Sequence, residues 1–180
     1  MKKIDKNLRL TAALALLTAL SILLGKYLAI RGGDVMRFSL ENMPIIFAGM
    51  VFGPIAGGAV GLVADLLGCV MVGYTVNPVI TIGGVAIGVI SGLYYYINSK
   101  LPFTTPITVA ITVGIAHLIG SVIIKTFGLA VYYDMPLIEL MLWRLVNYTI
   151  VGVLDGVVVY ALLNNKGVKM QIQNMGGKLP

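Results

Sequence analysis

Long apolar segments recur along almost the whole chain and constrain its fold more than any other feature. Only 11% of the 180 residues are charged, and the mean hydropathy is +0.96. Soluble domains carry about 25% charged residues. A helix needs about 20 apolar residues to cross a bilayer. The chain therefore has room for six or seven crossings and for no large soluble catalytic domain.

Turn signals divide the apolar sequence into six predicted spans. Gly53-Pro54 and Asn77-Pro78 mark two of the boundaries. The block at 43–52 has about ten residues, which predicts a short or tilted span, or a segment shielded by its neighbours. We expect an all-α integral membrane protein, a compact six-helix bundle forming one domain (1–180), with spans at about 8–30, 43–52, 55–72, 78–97, 106–130 and 137–163 and a polar outer loop at 31–42.

The basic residues predict the orientation of this bundle. Cytoplasmic ends of spans are enriched in Lys and Arg. With six spans both termini lie on one side, and we expect that side to be cytoplasmic because it collects most of the basic residues. These are Lys2, Lys3, Lys6, Arg9, Lys100, Lys166, Lys169 and Lys178. The outer ends of the spans carry charges of both signs.

Isolated polar side chains interrupt the spans, and each needs a partner because a charge at the bilayer centre costs about 2.5–3.5 kcal/mol on insertion scales. Asp65 is equally consistent with a functional carboxylate and with a structural ion pair. Asp155 is interpreted as an interhelical hydrogen-bonding group. His117 shares a helix face with Ser121 and Lys125 and is interpreted as a ligand contact. Lys125 either points inward or extends to the outer headgroups.

Motifs for catalysis and for metal binding are missing from the sequence. It contains no phosphate-binding loop, no zinc-protease motif and no nucleophile elbow. A single cysteine, Cys69, and a single histidine do not make a metal cage. The net charge of +6 is not arranged with exposed aromatic residues as in nucleic-acid sites. We predict no enzyme activity, no cofactor, no metal and no nucleic-acid partner.

The run FSLENMPIIFAGMVFGP at 38–54, the glycines and Asp65 that follow it, and GYTVNP at 73–78 together resemble one transporter family. They are similar to the folate-family S-components of energy-coupling factor (ECF) vitamin transporters, and the resemblance covers nearly the whole chain. It implies a multi-pass subunit of the bacterial plasma membrane that captures folate outside and delivers it to a coupling protein and two ATPases. It also implies that loop 31–42 is a lid and that Ala15 and Ala19 meet the coupling protein. From the residues alone, this small-residue pair is also consistent with ordinary packing inside the bundle.

Folate chemistry assigns candidate roles within this resemblance. Folate joins a flat pterin to an aminobenzoate and a dianionic glutamate, so its site needs a stacking slot, partners for the ring edge and cations for the tail. The tail is assigned to Arg31, Arg37 or Lys125. Arg144 serves the tail or pairs with Glu139 or Asp134. The ring edge is assigned to Asp65, Asn77, His117 or Asn147, and stacking to Phe38, Tyr74 and Trp143.

Three other interpretations stay open at this point. The first is an S-component for thiamine, a queuosine precursor or another heterocycle. The second is an integral-membrane enzyme that uses Asp65, His117 and Asp155 on a lipid-like substrate, although three isolated polar residues do not define a nucleophile with its base. The third is a structural membrane subunit without a ligand.

Overall fold

Apolar helices make up most of the protein in a computed structural model that describes residues 6–32, 36–98 and 105–177. Within these ranges five helices are long and apolar enough to cross a membrane by length and composition, and a shorter apolar helix joins them. The five are Lys6–Tyr27, Pro54–Val72, Pro78–Ile97, Pro106–Tyr133 and Leu137–Asn164. The prediction of a helical membrane protein is confirmed.

The elements follow one another through short connections. Helix α1 (Lys6–Ile22) continues into a π-helical turn, Leu23–Tyr27, before strands β1 (Ile30–Gly32) and β2 (Met36–Phe38). The later helices are α2 (Asn42–Phe52), α3 (Pro54–Val72), α4 (Pro78–Asn98), α5 (Pro106–Ala116), α6 (Lys125–Tyr133), α7 (Leu137–Asn164) and α8 (Lys166–Asn174), and a π-helical segment, His117–Ile124, joins α5 to α6.

Three of these elements, the two strands and α8, differ from the sequence predictions. The polar loop at 31–42 contains an antiparallel hairpin in which Ile30 pairs with Phe38 and Arg31 with Arg37. Pairing of the two strands satisfies backbone groups that the predicted loop would leave to water. The sequence predicts no helix beyond residue 163, yet α8 follows, because the Asn165 side chain caps its first turn and Ile172 is buried in the core.

Prolines and left-handed residues set the limits of the long helices. α3, α4 and α5 each begin with a proline, whose missing amide hydrogen has no helical partner at that position in any case. α3 ends at Gly73 with φ = 70°, and α6 ends at Asp134 with φ = 51°. Both residue types tolerate the left-handed region better than most others.

Helix α2 lies inside the protein, where it packs against α3 and α4. All its residues from Asn42 to Val51 are buried. Eleven residues at about 1.5 Å per residue give a length of about 16 Å, which is well short of a bilayer core of about 30 Å. The segment that the sequence describes as short or shielded is therefore enclosed by its neighbours.

Glycines bring α3 and α4 into backbone contact. A Cβ atom at Gly57 would overlap the carbonyl of Gly88, and one at Gly61 would overlap the carbonyl of Gly84. Small residues permit such close approach, which matters in lipid because helices there have no hydrophobic drive to associate. The α3–α4 pair thus forms a fixed wall next to the cavity described below.

Candidate functional site

A cavity of about 240 Å³ opens at the end of the bundle that carries the β-hairpin. Its walls come from the chain after β2 and from the adjoining ends of the helices. The described lining residues are Lys26, Ser39, Glu41, Asp65, Cys69, Tyr74, Thr75, Asn77, Ile80, Lys125, Leu129, Tyr133, Arg144, Asn147 and Tyr148. Ile80 and Leu129 are the aliphatic residues among these described lining residues, and the others carry polar, sulfur or aromatic groups.

The charged lining residues are mostly cationic. Among the described lining residues, three are basic, Lys26, Lys125 and Arg144, and two are acidic, Glu41 and Asp65. These five side chains carry a formal charge of +3 − 2 = +1. The cavity therefore suits a ligand with negative charge.

Lys125 points into the protein and is only 6% exposed. Its Nζ lies 3.5 Å from Oε1 of Glu41 and 3.4 Å from Oδ1 of Asn42. Of the two orientations that the sequence leaves open for this lysine, the structure has the inward one. A buried ammonium group with these two described partners keeps one of its three hydrogens for a ligand anion.

Lys26 lies on another wall of the cavity, at the end of the π-helical turn after α1. Its Nζ is 3.8 Å from Sγ of Cys69 and 5.8 Å from the ring centroid of Tyr74. A cation over a tyrosine ring is attracted by the ring quadrupole. Lys26 and Tyr74 thus place a positive charge beside an aromatic face.

Asp65 and Asn77 make different use of their polar atoms. Asp65 accepts a 2.6 Å hydrogen bond from the hydroxyl of Thr81 at Oδ2. Asn77 donates from Nδ2 to the carbonyl of Gly128 at 3.0 Å and accepts at Oδ1 from the amide of Val79. Because both ends of the Asn77 amide are used within the protein, Asp65 has the greater capacity to accept from a ligand.

A backbone carbonyl of the π-helical segment accepts hydrogen bonds from Arg144. At the end of this segment the amide of Lys125 donates to the carbonyl of Gly120, five residues back, instead of to Ser121. The Ser121 carbonyl accepts from Nη2 of Arg144 at 2.9 Å and from Nε at 3.3 Å. π-Helical turns often occur at functional sites. Here the altered backbone pairing supplies an acceptor for the guanidinium group at the cavity.

Aromatic rings add flat surfaces to the cavity. Tyr74, Tyr133 and Tyr148 all line it. The Tyr148 ring stacks on His117 with a centroid distance of 5.3 Å, and the Arg144 guanidinium carbon lies 5.0 Å from the Tyr148 centroid. Tyr148 therefore contacts both a cation and a second ring.

The structure brings together six of the residues selected from the sequence, all of which line the cavity: Asp65, Tyr74, Asn77, Lys125, Arg144 and Asn147. His117 is not among the described lining residues and bonds to Asp155 at 2.9 Å instead. Arg144 bonds to Ser121 and forms no salt bridge with Asp134 or Glu139, both of which are described and exposed.

The remaining sequence candidates lie elsewhere. Phe38 is partly buried on β2 and Trp143 is 47% exposed, and neither is among the described lining residues. The side chains of Arg31 and Arg37 lie outside the described part of the chain, although their backbones form the hairpin. Ala15 and Ala19 are exposed on one face of α1.

Nine of the described lining residues are not among the candidates selected from the sequence. These are Lys26, Ser39, Glu41, Cys69, Thr75, Ile80, Leu129, Tyr133 and Tyr148. Lys26 and Glu41 are visible in the sequence as charged residues at the ends of apolar segments, but charges are common at such ends, so this position alone does not identify a site. The apolar residues of the set carry no comparable signal.

Comparisons with known proteins agree on a transporter family. The family model described as "ECF-type riboflavin transporter, S component" matches residues 5–173. The folate transporter FolT of Clostridium novyi (strain NT) is 26% identical over 156 residues, which cover 86% of this chain and 88% of that protein. These matched proteins are transport proteins and not enzymes.

Two solved structures share the fold. The crystal structure of FolT bound with folic acid has a TM-score of 0.69 at 23% identity and covers 84% of this chain and 90% of that one. The S-component for biotin from an ECF-type ABC transporter has a TM-score of 0.66 at 19% identity and covers 96% of this chain and 100% of that one.

Proposed function

The chain belongs to the family of ECF-type riboflavin transporter S components, and from this premise we propose that it captures folate. In this proposal the chain is the high-affinity binding subunit of an ECF-type importer in the bacterial plasma membrane. It takes folate from outside and passes it to a transmembrane coupling protein and two ATPase subunits. FolT, the named folate transporter, is similar to this chain over most of both lengths.

The cationic cavity is the observation that carries the choice of folate. Lys26, Lys125 and Arg144 line it together with Asp65 and Glu41. Folate has two carboxylates on its tail, and charge-assisted hydrogen bonds to carboxylates are about twice as strong as neutral ones. Riboflavin is uncharged and gains nothing from the excess positive charge, and thiamine is a cation that this charge repels.

Each part of folate has a proposed partner. Lys125 and Lys26 bind the glutamate carboxylates, with Arg144 next to them and Arg31 and Arg37 supplied by the hairpin that acts as a lid. Asp65 accepts from the N–H groups of the pterin edge, and Asn147 lies on the same cavity surface. The ring stacks on Tyr74 or Tyr148. Phe38 and Trp143 lie outside the described lining, which favours the tyrosines for stacking.

We place the chain in the membrane as a single domain with six crossings. Both termini are cytoplasmic in this arrangement, because the basic residues collect at that end. The five long helices and the shorter α2 provide the six crossings, and the crossing by α2 takes place inside the protein and not in lipid. The cavity then opens to the outside, on the same face as the hairpin.

The exposed face of α1 is the proposed contact with the coupling protein. Ala15 and Ala19 are one helical turn apart and both are exposed. A pair of small residues at this spacing lets another helix approach closely in lipid. This contact leaves the cavity free, since the described residues of α1 do not line it.

We assign no catalytic step to the chain. Of the three residues of the membrane-enzyme interpretation, His117 and Asp155 bond to each other, while Asp65 bonds to Thr81 at the cavity. A nucleophile, its base and an orienting group must meet at a site that a substrate reaches, but His117 and Asp155 are buried and are not among the described cavity residues. Binding and release of an unchanged vitamin account for the cavity without chemistry.

Titration calorimetry on the detergent-purified chain tests the proposed function. Folic acid, riboflavin, thiamine and biotin are compared at the same pH and salt concentration, and mass spectrometry checks that the bound ligand is recovered intact. We expect saturable binding of folic acid with a much weaker response to the other three. Preferential binding of riboflavin would contradict the proposal and support the ligand named in the family description. Calorimetry is preferable to tryptophan fluorescence, because Trp143 is 47% exposed and lies outside the described cavity lining.

A further inference from the structure

A continuous series of side-chain hydrogen bonds links the cavity to a carboxylate in the protein interior. Lys125 Nζ lies 3.4 Å from Asn42 Oδ1, and Asn42 Nδ2 lies 3.4 Å from Ser121 Oγ. Ser121 Oγ lies 3.2 Å from His117 Nδ1, and His117 Nε2 lies 2.9 Å from Asp155 Oδ2. We call these five side chains the polar chain. It joins the π-helical segment to α2 on one side and to α7 on the other.

Only one direction of the hydrogen bonds gives an acceptor to each donor along the polar chain. An ammonium group only donates, so Lys125 must face the amide oxygen of Asn42, which leaves Nδ2 to donate to Ser121. Among the bonds that described residues form, the Ser121 hydroxyl hydrogen has one acceptor, Nδ1 of His117. His117 then carries its hydrogen on Nε2 and donates it to Asp155. Each member donates to the next, from the cavity inward.

Four of the five members are enclosed by protein. Asn42, Ser121 and Asp155 are 0% exposed, and His117 is 2% exposed. None of these four is among the described residues that line the cavity, whereas Lys125 lines it. His117 and Asp155 are thus placed to influence a ligand through side chains that line the cavity, of which Lys125 is one, and not by contact.

Apolar side chains would fill this part of the interior with a smaller loss of fold stability than the polar chain. Asp155 Oδ1 is buried without a hydrogen-bond partner among the described residues. An unsatisfied buried oxygen destabilises a fold, and apolar side chains of similar volume often replace buried polar groups without loss of stability. A role beyond packing explains why the destabilising carboxylate of Asp155 occupies this buried position.

We infer that His117 and Asp155 are positioning residues that fix the Asn42 amide and, through it, hold the Lys125 ammonium toward a carboxylate of the ligand. The inference rests on the proposed function and adds to it the residues that preorganise the tail site. Lysine has a long flexible side chain, so a fixed acceptor at Asn42 reduces the ordering cost of binding. Asp155 accepts the Nε2 hydrogen of His117 and so stabilises the tautomer whose Nδ1 accepts from Ser121.

Nitrogen NMR of the histidine ring tests the direction of the polar chain without any ligand. The protein has one histidine, so a sample labelled with ¹⁵N-histidine and purified on a histidine-free tag reports His117 alone. We expect the neutral tautomer with hydrogen on Nε2. Asp155→Leu removes the acceptor of the Nε2 hydrogen and should give a mixture of the two neutral tautomers, while Asp155→Asn keeps an acceptor oxygen and should retain Nε2–H. A wild-type ring with hydrogen on Nδ1, or on both nitrogens, would overturn the inference.

Binding of two forms of the ligand tests the action through Lys125. The forms are folic acid and its dimethyl ester, which keeps the pterin and lacks both tail charges. His117→Phe preserves a ring against Tyr148 and breaks the polar chain. We expect about 10-fold weaker binding of folic acid, the size of one charge-assisted hydrogen bond, and a change of less than about 2-fold for the ester. Val151→Ala, a buried packing change on α7, should not alter the ratio of the two affinities.

A double-mutant cycle completes this test. In a Lys125→Met background, His117→Phe should change folic acid affinity by less than about 2-fold, because the group that it positions is gone. Equal weakening of both ligand forms, or additive effects with Lys125→Met, would overturn the inference. If the wild-type chain binds another vitamin and not folic acid, the proposed function fails, while the histidine spectrum still decides the direction of the polar chain.

Discussion

The hydroxyl of Thr81 on α4 donates a 2.6 Å hydrogen bond to Oδ2 of Asp65 on α3. The bond lies one turn from the contact between Gly61 and Gly84, where the two helix backbones touch. Threonine has a short side chain, so it reaches the carboxylate only because the glycines bring the helices together. The packing that stabilises this helix pair also fixes an acceptor at the edge of the cavity.

Substitution Asp65→Asn should weaken folate binding without unfolding the protein. Asparagine still accepts the Thr81 hydroxyl, but the negative charge that strengthens bonds to pterin N–H groups is lost. We expect about 10-fold weaker binding of folic acid by calorimetry, equivalent to about 1.4 kcal/mol. Asp134→Asn is the matched control, because Asp134 is exposed and asparagine tolerates its left-handed backbone. An equal loss in both variants would argue against a ligand contact at Asp65.

Substitution Lys125→Met should weaken folate binding more strongly. It removes a buried cation and keeps most of the side-chain volume. A hydrogen bond to a charged group contributes about 1.5–3 kcal/mol, which corresponds to an affinity loss of about 10- to 100-fold. Lys166→Met on the exposed start of α8 is the control and should bind normally. Wild-type affinity in Lys125→Met would remove this lysine from the tail site.

Substitution Gly88→Ala should destabilise the fold by separating α3 from α4. The new Cβ atom would overlap the carbonyl of Gly57 on α3. Overpacking of this kind costs about 1–3 kcal/mol, and it should appear as a lower thermal midpoint of the detergent-solubilised protein. Gly156→Ala provides the contrast, because nothing lies within 4 Å of its Cβ position and alanine favours helix by about 1 kcal/mol. Equal midpoints for the two variants would contradict the close contact.

Substitution Ala15→Trp should separate ligand capture from transport. The position is exposed on α1 and is not among the described cavity residues, so folate affinity should stay within about 2-fold of wild type. Uptake by cells that express the whole importer should fall, because the bulky ring prevents close helix approach. Ile111→Trp places the same bulky ring on the exposed face of α5 and is the control. Normal uptake with Ala15→Trp would place the coupling contact elsewhere.

Much of the helical fold could be predicted from sequence. Prolines at 54, 78 and 106 begin helices, and the apolar runs behind them have the length that a bilayer requires. The hairpin and α8 were missed for a different reason. β1 and β2 have three residues each, too few to show an alternating pattern. α8 is stabilised because Ile172 packs into a core formed by residues of other helices, and the sequence of α8 alone does not show that contact.

Less of the site could be predicted, because helical periodicity identifies a face and not its partner. His117 and Lys125 lie about two turns apart on one polar stripe, yet Lys125 lines the cavity and His117 bonds to Asp155. The π-helical segment between α5 and α6 changes the register within this stripe. A sequence pattern based on 3.6 residues per turn does not include that change.

The sequence by itself determined that the chain is an apolar helical membrane protein with a few polar groups, since the bilayer sets both the length and the composition of a span. Only the tertiary structure decided which polar groups meet. The Lys125 ammonium lies beside Glu41 and Asn42, which come from a distant part of the chain. Such pairs depend on how closely α3 and α4 pack at their glycines and on the change of helical register in the π-helical segment. Both are properties of the assembled helices.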